Sequence, residues 1–152
     1  MTASGEEDEA MASSADSGRA LRRGRILIVE DNPLLRELFT HYVQALGYEA
    51  CAVPTGGTAL AAVAAQLPDL LLCHVGLPGL DGVEVCRRLK ADPTTRAIPV
   101  LLHTGRGEES PAGWREAGAD AVLRKPFSRE ELQAWIQTLL RPPPPQADPR
   151  RG

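Results

Sequence analysis

Residues 68–82, with the sequence PDLLLCHVGLPGLDG, decide the fold. Residues 70–73 form an unbroken apolar run between a proline and a glycine-containing loop. Such a run predicts a β-strand buried on both faces, because strands with one solvent-facing side alternate apolar and polar residues. Asp81 then precedes a helical pattern that extends through Lys90, which predicts a helix with an aspartate N-cap. A fully buried strand followed by a helix is typical of a parallel sheet in an α/β protein.

The same alternation extends to both sides of this stretch. Asn32-Pro33 and Gly47 bound the first predicted helix, while Ser128 and Glu131 predict a capping box for the last. The other predicted strands are residues 26–29, 48–53, 98–103 and 121–124, and the other predicted helices are residues 57–66 and 110–117. Five strands and five helices in strict alternation predict a doubly wound parallel sheet with right-handed crossovers and helices on both faces.

Length and composition indicate one domain. The chain has 152 residues, and we expect the domain to span residues 25–140. Residues 1–24 are small and acidic before a group of arginines, and residues 141–152 are rich in proline, so both predict disordered tails. The expected protein is therefore stand-alone, with no separate output domain.

Charge and cysteine content exclude several classes of protein. The net charge is −3, which argues against nucleic-acid binding through a basic surface. No signal peptide or membrane span is visible, so we expect a cytoplasmic protein without a membrane partner. The three cysteines, at positions 51, 73 and 86, fit reduced buried thiols in that compartment, and zinc binding by them is the weaker alternative.

Polar residues stand where the predicted strands end. In a doubly wound sheet the functional site lies beyond the carboxyl ends of the strands. Adjacent carboxylates there are suitable ligands for Mg²⁺, and a hydroxyl and a lysine would hold phosphoryl oxygens. Each residue also has a plainer explanation, as a helix N-terminal acid, a strand-end residue or a solvated lysine. The residues are Glu30, Asp31, His74, Thr104 and Lys125.

Four segments carry a family resemblance: ILIVEDNPLLRELF (26–39), PDLLLCHVGLPGLDGVEVCRRLK (68–90), IPVLLHTG (98–105) and GADAVLRKPFSREEL (118–132). Together they resemble the receiver domain of bacterial response regulators, over residues 25–140. The resemblance implies a flavodoxin-like fold, a doubly wound five-stranded parallel sheet with strand order 2-1-3-4-5 and five helices. It also implies a cytoplasmic role in two-component, or phosphorelay, signal transduction.

The resemblance assigns roles to the strand-end residues. The acidic pair Glu30 and Asp31 matches the family's Mg²⁺ ligands, while Thr104 and Lys125 match the residues that contact the phosphoryl group. His74 stands where the family has its phosphoryl-accepting aspartate. Val122 stands where the family usually has the Tyr or Phe that rotates on activation. The resemblance further predicts a cis peptide bond between Lys125 and Pro126.

The substitution at position 74 changes the expected chemistry. An imidazole cannot form an acyl phosphate, and Mg²⁺ binding should be weakened because this ion prefers oxygen ligands. We therefore expect no cofactor. Phosphoryl transfer to the His74 nitrogen, a softer metal ion held by His74 with Glu30 and Asp31, and a hydrogen-bonded imidazole beside two acids remain as alternatives.

Other classes that share this sheet order fit less well. A flavin phosphate would be repelled by Glu30 and Asp31, and a cobalt-ligating histidine of cobalamin proteins follows the first strand, whereas His74 follows the third. No Gly-x-Ser-x-Gly elbow of a hydrolase is present. We predict a non-enzymatic pseudo-receiver, an interaction module independent of aspartyl phosphorylation, with a sensor histidine kinase or an output protein as its partner. The alternative is a receiver-fold sensor that responds to a metal, a ligand or a proton at the altered pocket.

Overall fold

The computed structural model describes residues 24–105 and 111–140. The predicted tails lie outside the described residues apart from Gly24, and so does Ser110, which the sequence places at the start of a helix. The elements in chain order are β1 (Arg25–Val29), α1 (Pro33–Ala45), β2 (Glu49–Val53), α2 (Gly56–Ala65), β3 (Leu70–His74), α3 (Gly82–Ala91), β4 (Val100–Thr104), α4 (Pro111–Ala117), β5 (Ala121–Arg124) and α5 (Arg129–Leu140).

The five strands form one parallel sheet with the order β2-β1-β3-β4-β5, which confirms the predicted fold. Strand order reverses at β1, so the adjoining connections leave on opposite faces and open a crevice at the carboxyl edge. β3 and β4 are paired along their length, with His74 opposite His103. All described strands end at this same edge because they are parallel.

Two apolar layers cover the sheet. One contains alternate strand residues packed against α2, α3 and α4, including Leu27, Leu71 and Leu102. The other contains the intervening strand residues packed against α1 and α5, including Ile28 and Leu72. This two-sided burial explains why the central strands are continuous apolar runs in the sequence.

The predicted helix caps are confirmed. The Asn32 side chain accepts hydrogen bonds from the backbone N–H groups of Leu34 and Leu35 at the start of α1. The Asp81 carboxylate accepts from the Glu84 N–H at 2.9 Å at the start of α3. Before α5, each partner of the capping box satisfies the other's backbone, as the Ser128 N–H donates to the Glu131 side chain and the Glu131 N–H donates to the Ser128 hydroxyl.

Several predicted boundaries were wrong by one or two residues. β4 begins at Val100 rather than at position 98, because the Ile98 N–H donates to the Thr95 carbonyl in the preceding turn and Pro99 has no N–H to donate. Tyr48 precedes β2 because its N–H bonds back to the Val43 carbonyl at the end of α1. His74 and Thr104 are the last residues of β3 and β4 rather than the first residues beyond them.

The cysteines are all free, but only two are buried. Burial raises the pKa of the Cys86 thiol to about 11 and raises that of Cys73 further, so neither is a ready thiolate. Cys51 is half-buried on the edge strand β2, which corrects the prediction of three buried thiols. No helix in residues 24–105 and 111–140 combines the length and apolar character needed to cross a membrane.

Candidate functional site

Strand alternation places three polar side chains on one face of the sheet, at its carboxyl edge. Glu30, His74 and His103 continue the face that packs against α1 and α5, where the apolar layer ends. All three are buried, with exposed fractions of 1% for Glu30, 7% for His74 and 0% for His103. Buried ionisable groups require partners, and these three lie next to one another.

Lys125 provides the balancing charge. Its Nζ donates to the Glu30 Oε1 at 3.0 Å and lies 3.0 Å from the His74 Nδ1. A lysine ammonium has no acceptor, so Nδ1 must accept, and the neutral imidazole then carries its proton on Nε2. Lys125 directly follows β5, and its backbone N–H donates to the Thr104 carbonyl at 2.8 Å, which holds it at the pocket. The peptide bond between Lys125 and Pro126 is cis.

The acidic pair divides into a buried and a more exposed member. The second oxygen of Glu30, Oε2, accepts from the Asn32 N–H at 3.0 Å, so both carboxylate oxygens have hydrogen-bond donors. The side chain of Asp31 is 40% exposed, and its Oδ1 lies 3.9 Å from the His74 Nε2. Asp31 thus lies at the mouth of the pocket and Glu30 lies at its base.

His103 belongs to the site although the sequence did not single it out. Its ring stacks on that of His74 with centroids 5.2 Å apart and also packs edge-on against Phe39 and Phe127. Neither ring nitrogen has a hydrogen-bond partner, although Nδ1 lies 3.8 Å from the Glu30 Oε1. An unsatisfied buried polar group costs about 1–3 kcal/mol, so this residue is an anomaly that requires an explanation.

Burial and the neighbouring Lys125 and His74 keep His103 neutral. Burial lowers the pKa of the His103 imidazole well below its usual 6.5, and the neighbouring Lys125 and His74 lower it further. One signal in the sequence could have revealed this residue: it is a polar side chain inside an apolar strand, one residue before the strand-end threonine. Only the register, which pairs it with His74, shows that it faces the pocket.

Two further predicted residues lie on the other face of the sheet. Thr104 follows His103, so alternation places it on the face of α2, α3 and α4, and its Oγ1 donates to the Gly105 carbonyl at 3.3 Å. Val122 packs, half-buried, against the apolar layer of the same face. The structure therefore gathers Glu30, Asp31, His74 and Lys125. The roles that the resemblance assigns to these residues, and to Thr104 and Val122, stay predictions.

A family model described as the response regulator receiver domain matches residues 26–137 of this chain. The chain belongs to this receiver family. Receiver domains from several bacteria resemble it over the same region. The chain is 38% identical over 123 residues to the phosphate regulon transcriptional regulatory protein PhoB of Rhizobium meliloti, covering 80% of this chain and 54% of PhoB. It is 43% identical over 120 residues to the response regulator PleD of Caulobacter vibrioides, covering 77% of this chain and 26% of PleD.

These coverages show that the receiver chain spans about half the length of PhoB and a quarter of PleD. Among solved structures, the chain is similar to the receiver domain of a sensor histidine kinase from Pseudomonas aeruginosa, with 31% identity and a TM-score of 0.72. That match covers 77% of this chain and 97% of the other, whose active-site cleft coordinates a magnesium ion.

The residues of the present receiver do not fit a magnesium ion well. Mg²⁺ demands hard oxygen ligands in near-octahedral geometry and is usually held through carboxylates. Here the Glu30 carboxylate is bound to the Lys125 ammonium, and the next strand end supplies an imidazole instead of an oxygen. The donor set is two nitrogens and one buried carboxylate, with Asp31 at the rim.

Proposed function

We propose that this chain is an atypical receiver domain, a protein-interaction module in two-component signalling that works without aspartyl phosphorylation. The observation that carries the proposal is the bonded chain Glu30–Lys125–His74 at the end of β3. In this arrangement the position that matches the family's phosphoryl acceptor is an imidazole. The lysine that matches the family's phosphoryl contact is engaged with the carboxylate and the imidazole.

The neighbouring aspartates support the proposal because they have structural partners. Asp69 accepts a 2.7 Å hydrogen bond from the Arg25 N–H before β3 begins. Asp81 caps α3. Asp31 lies at the mouth of the pocket, and a phosphorylation experiment would detect whether it acts as a substitute acceptor.

The readout position also supports independence from phosphorylation. An aromatic side chain at position 122 would have a ring that can rotate between a buried and an exposed state. Val122 has no ring, and it packs half-buried against the apolar layer of its own face. We infer that the domain presents one binding surface in a constant state.

A surface suited to protein binding lies between α1 and the β5–α5 connection. The cavity there has a volume of about 450 Å³ and is lined mainly by apolar side chains: Leu35, Leu38, Phe39, Tyr42, Lys125, Pro126 and Phe127. Leu38 is 41% exposed, and Leu34 beside it on α1 is 76% exposed. Apolar surface of this kind is a common feature of interaction sites. The proposed partner is a sensor histidine kinase or an output protein.

The test is a binding measurement with a partner identified by cross-linking in a native extract. The affinity of that partner should be the same with and without acetyl phosphate and Mg²⁺. Leu38→Asp should weaken the complex, whereas Leu67→Asp should not, because Leu67 is a similarly exposed leucine (55%) outside the cavity. A complex that forms only after the phosphodonor is added would overturn the proposal.

A further inference from the structure

A compact set of metal-ligating groups lies at the base of the pocket. Glu30, His74 and His103 each offer one ligand atom, and these atoms all lie within 4.8 Å of one another. Two imidazole nitrogens and a carboxylate oxygen are ligands that zinc-class metal ions use, with open positions left for water or a further side chain. All three side chains are buried, so the set is not a cluster of exposed acids.

An independent observation points to a missing ligand. The two ring nitrogens of His103 are the buried side-chain atoms without hydrogen-bond partners in the described part of the chain. The Nδ1 atom lies toward the cluster, 3.8 Å from the Glu30 Oε1. A neutral imidazole that is desolvated, unbonded and adjacent to a second imidazole has the electronic state that a metal ligand needs.

The spacing is close to that of a closed site. The His74 Nδ1 lies 3.9 Å from the Glu30 Oε1, and the His103 Nδ1 lies 3.8 Å from the same oxygen. In a tetrahedral zinc site with bonds near 2.1 Å, ligand atoms are about 3.4 Å apart. Small rotations of the three side chains would therefore close the set around an ion.

We propose that Glu30, His74 and His103 bind a divalent transition-metal ion of the zinc class, and that the Lys125 ammonium occupies the same place when the ion is absent. Lys125 already makes two contacts of 3.0 Å, to the Glu30 Oε1 and the His74 Nδ1, as a cation at the centre would. The proposal goes beyond the interaction role, because neither phosphorylation nor a partner is required for the ion to bind.

The arrangement makes the ion and the ammonium competitors. A metal ion cannot approach Glu30 and His74 until Lys125 withdraws. The Lys125 side chain is 17% exposed, so it has a route to solvent. Asp31, whose Oδ1 lies 3.9 Å from the His74 Nε2, is placed to take over the displaced ammonium or to act as a further ligand. Metal binding would thus shift the β5–α5 connection that lines the apolar cavity.

The experiment is a calorimetric titration of the chelator-treated full chain, without a polyhistidine tag, with Zn²⁺, and separately with Mg²⁺. We expect one Zn²⁺ per chain and much weaker binding of Mg²⁺. His103→Leu should weaken Zn²⁺ binding by about 10-fold or more, since it removes a ligand. Lys125→Met should strengthen Zn²⁺ binding because it removes the competing cation.

Matched variants exclude other sites. His41→Gln alters an exposed histidine of α1 and should leave Zn²⁺ affinity unchanged, as should Cys51→Ser. His103→Gln provides a second test with a polar side chain, and thermal melts verify the fold of each variant. Equal Zn²⁺ affinity in wild type and both His103 variants would overturn the assignment, as would a Lys125→Met variant that binds Zn²⁺ more weakly than wild type.

Discussion

At the scale of single residues, Lys125 determines whether the pocket can keep its buried carboxylate. Glu30 is 1% exposed and lies 3.0 Å from the Lys125 Nζ, while its other oxygen is bound by a backbone N–H. A buried ion pair stabilises the folded state little more than an apolar pair of the same shape would. Removing one partner, however, leaves an uncompensated buried charge.

Lys125→Met should therefore destabilise the metal-free protein. We expect a loss of about 3 kcal/mol in the free energy of unfolding, because Glu30 is left buried without its cation. Urea unfolding at neutral pH with a chelator present measures this loss. Added Zn²⁺ should restore stability to Lys125→Met more strongly than it stabilises wild type. A variant as stable as wild type in chelator would contradict the importance of the pair.

His103 should make the metal-free protein sensitive to acid. Burial, Lys125 and His74 lower its pKa in the folded state, whereas in the unfolded chain it titrates near 6.5. The unfolded state then binds more protons than the folded state, so this contribution to stability is complete above pH 6.5 and is lost as the pH falls below it. The limiting slope for one proton is about 1.4 kcal/mol per pH unit.

The comparison of wild type with His103→Leu isolates this effect. Glu30, His74 and Lys125, the charged or titratable groups facing His103, are present in both proteins. Urea unfolding in chelator at pH 7.5, 6.5 and 5.5 should show wild type losing stability relative to the variant only at the lowest pH values. If the free energies of unfolding of the two proteins changed in parallel with pH, His103 would not titrate as its burial requires.

The pocket could be predicted in part from the sequence. Glu30, Asp31, His74 and Lys125 were expected at one edge because parallel strands end together, and the structure brings these four into contact. His103 stands out in the sequence as a polar residue in an apolar strand, but its place in the pocket could not be predicted because it depends on the strand register. A polar residue in a buried strand can face either layer, and only the pairing with His74 identifies the side.

At the scale of elements, the β3–α3 connection fixes the backbone beneath His74. Gly82 begins α3, and its N–H donates to the Val75 carbonyl at 2.9 Å. A Cβ on Gly82 would lie 2.1 Å from the His74 carbonyl oxygen and 3.0 Å from the Val75 Cα. α3 approaches the end of β3 so closely that any side chain larger than hydrogen at position 82 must displace the helix or the strand.

We expect Gly82→Ala to destabilise the protein by about 1–3 kcal/mol through this overpacking. The matched control is Gly57→Ala in α2, where the nearest atom to the new Cβ is the Thr55 Oγ1 at 3.9 Å. That substitution should be neutral or stabilise by up to about 1 kcal/mol, because alanine restricts the unfolded chain. Equal urea midpoints for the two variants would contradict the close approach.

Some elements could be predicted well from the sequence and others less well. The caps at Asn32, Asp81 and Ser128 were correct because each satisfies backbone donors that the following helix leaves open. β2 was correct in place but is a half-exposed edge strand, and its start was misplaced by one residue. Boundaries depend on individual turn hydrogen bonds, such as the Ile98 N–H to Thr95 bond, which residue types alone do not specify.

At the scale of the whole molecule, the sheet separates two sets of residues. The face of α1 and α5 contains Glu30, His74 and His103 and adjoins the apolar cavity. Val122 packs on the face of α2, α3 and α4, where strand alternation also places Thr104. The proposed interaction surface and the proposed metal site therefore share one face. Lys125 contributes to both, since it lines the cavity and bonds Glu30.

We propose that residue 74 decides whether this receiver can be phosphorylated. The direct measurement is intact-mass spectrometry of wild type and His74→Asp after incubation with acetyl phosphate and Mg²⁺. Wild type should remain unmodified, and His74→Asp should gain one phosphoryl group, because a third carboxylate restores an oxygen site for Mg²⁺ beside Glu30 and Asp31. A phosphoryl adduct on wild type, mapped to Asp31 or His74, would contradict the account, as would a His74→Asp variant that stays unmodified.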